Sequence, residues 1–228
     1  MYDILTGPVL WLAFGVCFVG LLWRVVTYIM GLNWALDRVA YRANPGAGLN
    51  GAVKSIVAFL VPYGNHSWRS KPVYTIVFFL FHIGIVLCAL FAMGHATLLK
   101  NNLGISWPSL STGAANFWTV TVIVTGVFIA VRRFALPEVR IITTFYDYFL
   151  LALTLAPFVT GFLAVNQIGD YKFWVLAHVV SGELVLVALP FTKLYHVVGF
   201  FLSRAQLGAD YGIKRGGMKA RGNKGMVW

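Results

Sequence analysis

Long apolar runs separated by short polar stretches set the pattern of this chain. Five runs are long enough to cross a bilayer as helices, near 8–30, 73–99, 114–136, 142–166 and 174–202. A helix needs about 20 apolar residues to span the hydrocarbon core. A sixth run, 52–63, is too short and ends at Pro62, so it reads as interfacial or re-entrant. The pattern predicts an all-α fold: an integral membrane five-helix bundle over 1–203, then a basic tail over 204–228. Gly216, Gly217, Gly222 and Gly225 suggest a flexible tail. Such a tail is either solvated against anionic lipid or a docking strand for a cytoplasmic subunit.

Composition agrees with the pattern. The chain is 59% hydrophobic and only 11% charged, with mean hydropathy +0.78. A soluble domain of 228 residues could not hide that much apolar surface. The two cysteines, Cys17 and Cys88, both lie in apolar runs, and no C-x-x-C-H motif occurs. That excludes covalent c-type haem and argues against iron–sulfur or zinc clusters on this chain. The first residues lack a positive n-region, so the first run is expected to be an uncleaved span.

Charge placement predicts orientation. Arg38, Arg42, Lys54, Arg69 and Lys71 precede the second run, and Arg132, Arg133 and Arg140 follow the third. Arg204, Lys214, Arg215, Lys219, Arg221 and Lys224 are in the tail. The opposite connections hold only Lys100 and Lys172. The positive-inside rule then puts the N-terminus outside and the tail in the cytoplasm of a multi-pass protein of a bacterial inner membrane. The net charge of +11 follows from this topology and does not point to nucleic acid.

Four histidines carry the candidate chemistry. His178 and His196 are 18 residues apart on one apolar segment. At about 100° per residue that is five turns, so on a continuous helix both leave one face, about 27 Å apart. His82 and His95 lie on the second segment. Antiparallel pairing would put His82 level with His196 near the cytoplasm and His95 level with His178 near the outside. Two such pairs are the minimum for two haems, one towards each membrane face, with all four residues as iron ligands. The alternative is four separate polar residues, each bonded to a neighbour's carbonyl. Ionisable residues at membrane depth favour the functional reading. The 13 residues from His82 to His95 turn about 220° on a straight helix, so the two share no face. Either tilt or a local distortion near Gly84 or Gly94 reconciles them, or one haem is absent.

Three further residues matter. Lys193, one turn before His196, suits a haem propionate or snorkels to the interface. Glu183 is an acid within the fifth run, suited to relaying a proton or pairing with a polar group. His66, in Gly64-Asn65-His66-Ser67-Trp68, is expected to be interfacial.

Phe81-His82-Ile83-Gly84-Ile85, Gly94-His95 and Pro190-Phe191-Thr192-Lys193-Leu194-Tyr195-His196 resemble ligand motifs of the gamma subunit of respiratory nitrate reductase, a five-span dihaem cytochrome b. Leu136-Pro137-Glu138-Val139-Arg140, with Thr143, Thr144 and Asp147, is similar to that family's third-to-fourth span connection. The resemblance covers roughly residues 70–200. A longer gap between the first two histidines makes the chain look more like relatives in membrane redox complexes of sulfate-reducing bacteria, such as the high-molecular-weight cytochrome c complex.

The resemblance implies a cytochrome b subunit with two b haems. Its expected partners are iron–sulfur protein and multihaem cytochrome c, and menaquinone is a candidate ligand. A quinone site is expected beside the outer haem, at Gly94, His95 and His178, where Gly94 leaves room at the porphyrin edge. Electrons would pass between a quinone pool or periplasmic cytochrome c and a cytoplasmic iron–sulfur partner. The alternative is a structural membrane anchor with one haem or none.

Overall fold

The computed structural model describes residues 2–32 and 45–220, and its regular structure is all helical, with no strand among those residues. A turn at Tyr2–Ile4 and a π-helical stretch at Leu5–Val9 lead into α1, Leu10–Met30. The helices that follow are α2 (Pro45–Leu60), α3 (His66–Ser70), α4 (Pro72–Phe91), α5 (Met93–Leu103) and α6 (Thr112–Ala135). Next come α7 (Pro137–Arg140), α8 (Phe145–Val165) and α9 (Tyr171–Phe191). A 3-10 turn at Lys193–Tyr195 precedes α10, His196–Ala220.

Five stretches among the described residues are long and apolar enough to cross a membrane. They are Leu5–Met30, Pro72–Leu103, Thr112–Ala135, Phe145–Val165 and Tyr171–Phe191. Gly48–Leu60 is apolar but shorter, in line with the sixth run. Only 11% to 22% of each span is buried within the chain, so most of its surface must meet lipid, a bound group or another protein.

The chain divides into two compact units. The first takes in Met1–Gly15 and Pro72–Val187. Here α4 packs on α6, and α6 on α8. Their shared core is Phe81, Val122 and Ile129, flanked by Tyr74, Val77, Ile85, Leu151, Leu155 and Phe158. Small residues let the backbones approach: a Cβ at Gly84 would lie 2.5 Å from Val122, and one at Gly126 would lie 2.6 Å from Leu155. The Arg132 guanidinium lies over the Tyr74 ring at 4.2 Å. Asn116 and Asn166 exchange amide hydrogen bonds of 2.9 and 3.2 Å. Asp147 caps α8 by accepting from the Thr144 N–H at 2.8 Å.

The second unit takes in Val16–Lys71 and Ala188–Trp228. In it α2 lies along α10 so closely that a Cβ at Gly208 would strike the Gly51 carbonyl. The Tyr28 hydroxyl hydrogen-bonds to Gln206 Oε1. Arg204 covers Phe59 at 4.3 Å, and the Trp68 indole N–H donates to the Phe59 carbonyl at 3.3 Å.

Two expectations change. The apolar run over 174–202 is not one helix: α9 ends at Phe191 and α10 begins at His196. Pro190 weakens the last turn, because it has no N–H and its ring crowds the turn before it. Thr192 then turns extended, at φ −120° and ψ −177°. Its hydroxyl donates to the Ala188 carbonyl at 2.8 Å and accepts from the Leu194 N–H at 3.2 Å. The second bond satisfies the Leu194 N–H, which the break frees; the Ala188 carbonyl keeps its usual bond from the Thr192 N–H at 3.1 Å as well. The five-turn argument placing His178 and His196 on one face therefore fails. The expected tail is helical in its first part, since α10 continues to Ala220, while Gly222 and Gly225 lie outside the described residues. Arg38, Arg42, Arg221 and Lys224 lie outside the described residues.

Candidate functional site

A helix break sets His95. The α4 helix stops at Phe91, and Ala92 is extended at φ −61° and ψ 137° before α5 resumes. A break leaves carbonyls of the preceding turn without their usual i+4 donors. The Phe91 carbonyl is taken by the Leu110 N–H at 2.8 Å, and Trp107 stacks on the Phe91 ring at 6.0 Å. The Ala89 carbonyl accepts from His95 Nδ1 at 2.9 Å. The distortion expected near Gly84 or Gly94 thus occurs at Ala92, between His82 and His95, and resets the direction in which His95 points.

His178, on α9, is set by a neighbouring helix. Its Nδ1 donates to the Pro157 carbonyl of α8 at 2.8 Å. Gly161, one turn on, makes this possible: a Cβ there would lie 2.8 Å from His178 Nδ1 and 3.0 Å from Cε1. Ser181 donates to the His178 carbonyl at 3.0 Å, and its hydroxyl lies 3.4 Å from that of Thr160.

The two imidazoles face each other. Their ring centres are 5.9 Å apart and their planes differ by 12°. A carbonyl can only accept, so both Nδ1 atoms carry a proton, which in a neutral ring leaves Nε2 as the metal-binding nitrogen. With a metal–nitrogen bond of ~2 Å and ~1 Å from nitrogen to ring centre, a metal between two imidazoles holds their centres about 6 Å apart. The 5.9 Å between the stacked ring centres equals that separation. Among the described residues no group of three or more His, Cys, Asp or Glu forms a metal site. A metal here would draw its other ligands from a prosthetic group, and haem supplies four nitrogens in a plane. A carbonyl bond alone would also suit a structural histidine; two such rings facing at this spacing is the added observation.

The remaining candidates are placed as follows. On α4, His82 donates from Nδ1 to the Phe78 carbonyl at 2.8 Å, with its ring 4.1 Å from that of Phe78 and 5.4 Å from that of Phe81. His196, at the start of α10, donates from Nδ1 to the Lys193 carbonyl at 3.0 Å. All four histidines therefore present the same tautomer. His82 belongs to the first unit and His196 to the second. Lys193 opens the 3-10 turn. Gly94 has nothing within 4 Å of where a Cβ would stand, so there is open space beside His95. Glu183 is buried, with 7% exposure, and its Oε1 has no hydrogen-bond partner among the described residues. His66 is exposed at the start of α3.

Sequence reasoning passed over Pro157, Gly161 and Arg24. A proline and a glycine four residues apart in an apolar run give no hint of a histidine on another helix. Arg24 was legible: it is the lone charge within α1. Its Nε donates to the Pro190 carbonyl at 2.8 Å, and its guanidinium lies 5.4 Å from the Tyr195 ring centre.

No family model matches the chain. A protein of Nitratidesulfovibrio vulgaris strain Hildenborough is 57% identical over 217 residues, covering 95% of this chain and 96% of the relative. This chain belongs to that protein's family. The relative's name, "Protein", describes no activity, so family membership says that nearly the whole chain is shared and leaves its chemistry to the site.

Proposed function

We propose that this chain is the cytochrome b subunit of a membrane redox complex in a bacterial inner membrane. It would carry electrons across the bilayer between a quinone pool or periplasmic cytochrome c and a cytoplasmic iron–sulfur partner. The observation that supports this best is the facing pair His95 and His178, with centres 5.9 Å apart and each Nδ1 bonded to a carbonyl. Both Nε2 atoms would hold haem iron, and bound haem supplies one-electron transfer. The chain's own part is to orient two imidazoles, keep their tautomer and surround them with apolar helices. A second b haem on His82 and His196 rests on their order and spacing in the sequence. Lys193 would serve a propionate of that haem, and Gly94 leaves space for a quinone head group, menaquinone being the candidate.

A membrane anchor with one haem or none is the second reading. The break at Thr192 favours it, because His178 and His196 do not share a continuous helix. Haem quantification as the pyridine haemochrome, with a reduced-minus-oxidised spectrum of the purified protein, separates the two. The proposal expects two b haems per chain, falling to one in His178→Ala. One haem in the wild type would support the anchor reading, and none would remove the electron-transfer role.

A further inference from the structure

We infer that Arg24 is an anchor for a carboxylate beside His196, and that the carboxylate is a propionate of the haem His196 would hold. This rests on the reading of His196 as a ligand. The observations lie within one compact unit, which contains Arg24, Pro190, Lys193, Tyr195 and His196.

The argument begins at the end of α9. The helix stops at Phe191, and the Leu194 N–H turns to the Thr192 hydroxyl at 3.2 Å. The Pro190 carbonyl thereby loses its ordinary i+4 donor. Arg24 Nε supplies the replacement at 2.8 Å. Its guanidinium stands 5.4 Å from the ring centre of Tyr195, the residue next to His196. One hydrogen bond and one aromatic face thus fix the guanidinium at the turn from which His196 emerges.

A guanidinium has five N–H donors in a planar fork, and only Nε is used here. Among the described residues, neither Nη group has a hydrogen-bond acceptor. Arg24 is exposed on α1, so these donors are open to an anion from outside the chain. The fork matches a carboxylate through two parallel bonds, a geometry that lysine lacks. Lys193, two residues before Tyr195, adds a second cation to the same turn. Two cations beside a histidine whose Nδ1 is already bonded to a carbonyl suit a planar ligand that brings its own carboxylates.

The test uses the full chain, purified as wild type, Arg24→Gln, Arg24→Lys and His196→Ala. Haem is counted as the pyridine haemochrome, and potentials are read by spectroelectrochemical titration. Reduction adds negative charge to the haem, so a nearby cation favours the reduced state. Arg24→Gln should lower the potential of the haem that His196→Ala removes by about a tenfold shift in its reduction equilibrium, about 59 mV for one electron. Arg24→Lys should restore most of that shift, since it restores the charge. Unchanged potentials in Arg24→Gln would overturn the inference. So would loss of haem in both Arg24 variants, because a residue that only staples the break would give that result. A His196→Ala protein with the wild-type haem count removes the ligand beneath it and overturns it too. A wild type without haem defeats the electron-transfer reading and this inference together, and is seen before any variant is made.

Discussion

At the scale of single residues, the site depends on what stands beside each imidazole. His178 reaches the Pro157 carbonyl only because residue 161 has no Cβ. Gly161→Ala should push the ring from that carbonyl and loosen its tautomer, and loss of the hydrogen bond that orients a ligand imidazole weakens metal binding about 10–100-fold. The expected outcome is loss of the haem assigned to His95 and His178 during purification, read by haem count, with the second haem kept. His66→Ala, by contrast, should leave the count unchanged, as His66 is exposed at the start of α3 and belongs to neither proposed pair. Gly94 gives a separable readout. Nothing lies near its absent Cβ, so Gly94→Phe should leave dithionite reduction of the haems intact while slowing reduction by a menaquinol analogue at least tenfold. Equal rates in wild type and variant would place the quinone elsewhere.

At the scale of elements, the informative features are the two breaks, at Ala92 and Thr192. Each releases backbone groups, and each is closed by bonds from outside the ordinary helix ladder. At Ala92 the closing bond to the Phe91 carbonyl comes from the Leu110 N–H. Leu110→Pro removes that donor and should destabilise the protein by about 1–3 kcal/mol, the magnitude for a buried acceptor left unpaired. Thermal unfolding in detergent would show it as a lowered midpoint. Helix packing is testable in the same way. Gly126→Leu forces a side chain against Leu155, and overpacking of this kind costs about 1–3 kcal/mol. An unchanged midpoint would mean that α6 and α8 are less tightly packed than their glycine contact implies.

At the scale of the whole molecule, charge asymmetry sets the remaining expectation. Fourteen lysines and arginines cluster in segments assigned to one side, against two on the other. Protease added to intact inner-membrane spheroplasts should leave a tag at the C-terminus untouched, and the same tag should be cut in inverted vesicles. Cleavage in spheroplasts would invert the topology and the sidedness of both proposed haems.

What the amino-acid sequence determined by itself was the helical, membrane-like character, five stretches long and apolar enough to cross a bilayer, a short sixth apolar segment and the four candidate histidines. Those follow from apolar runs and residue type, which are local and need no partner to be read. Counting degrees along a helix showed that His82 and His95 share no face on a straight one, and left tilt, a distortion or a missing haem as the alternatives. Tertiary structure decided the rest. The break fell at Ala92 rather than at a glycine, because the Phe91 and Ala89 carbonyls are satisfied by Leu110 and His95, residues whose approach no period encodes. The fifth run divided at Thr192, where a threonine hydroxyl and an arginine from another helix take up the freed backbone groups, although hydropathy is continuous through it. Gly161 and Pro157 came to lie against His178 only through the local approach of α8 and α9. Hydrophobic pattern states which face leaves water. Where two such faces meet, and which carbonyl then lies within 3 Å of which imidazole, depends on packing between helices distant in sequence.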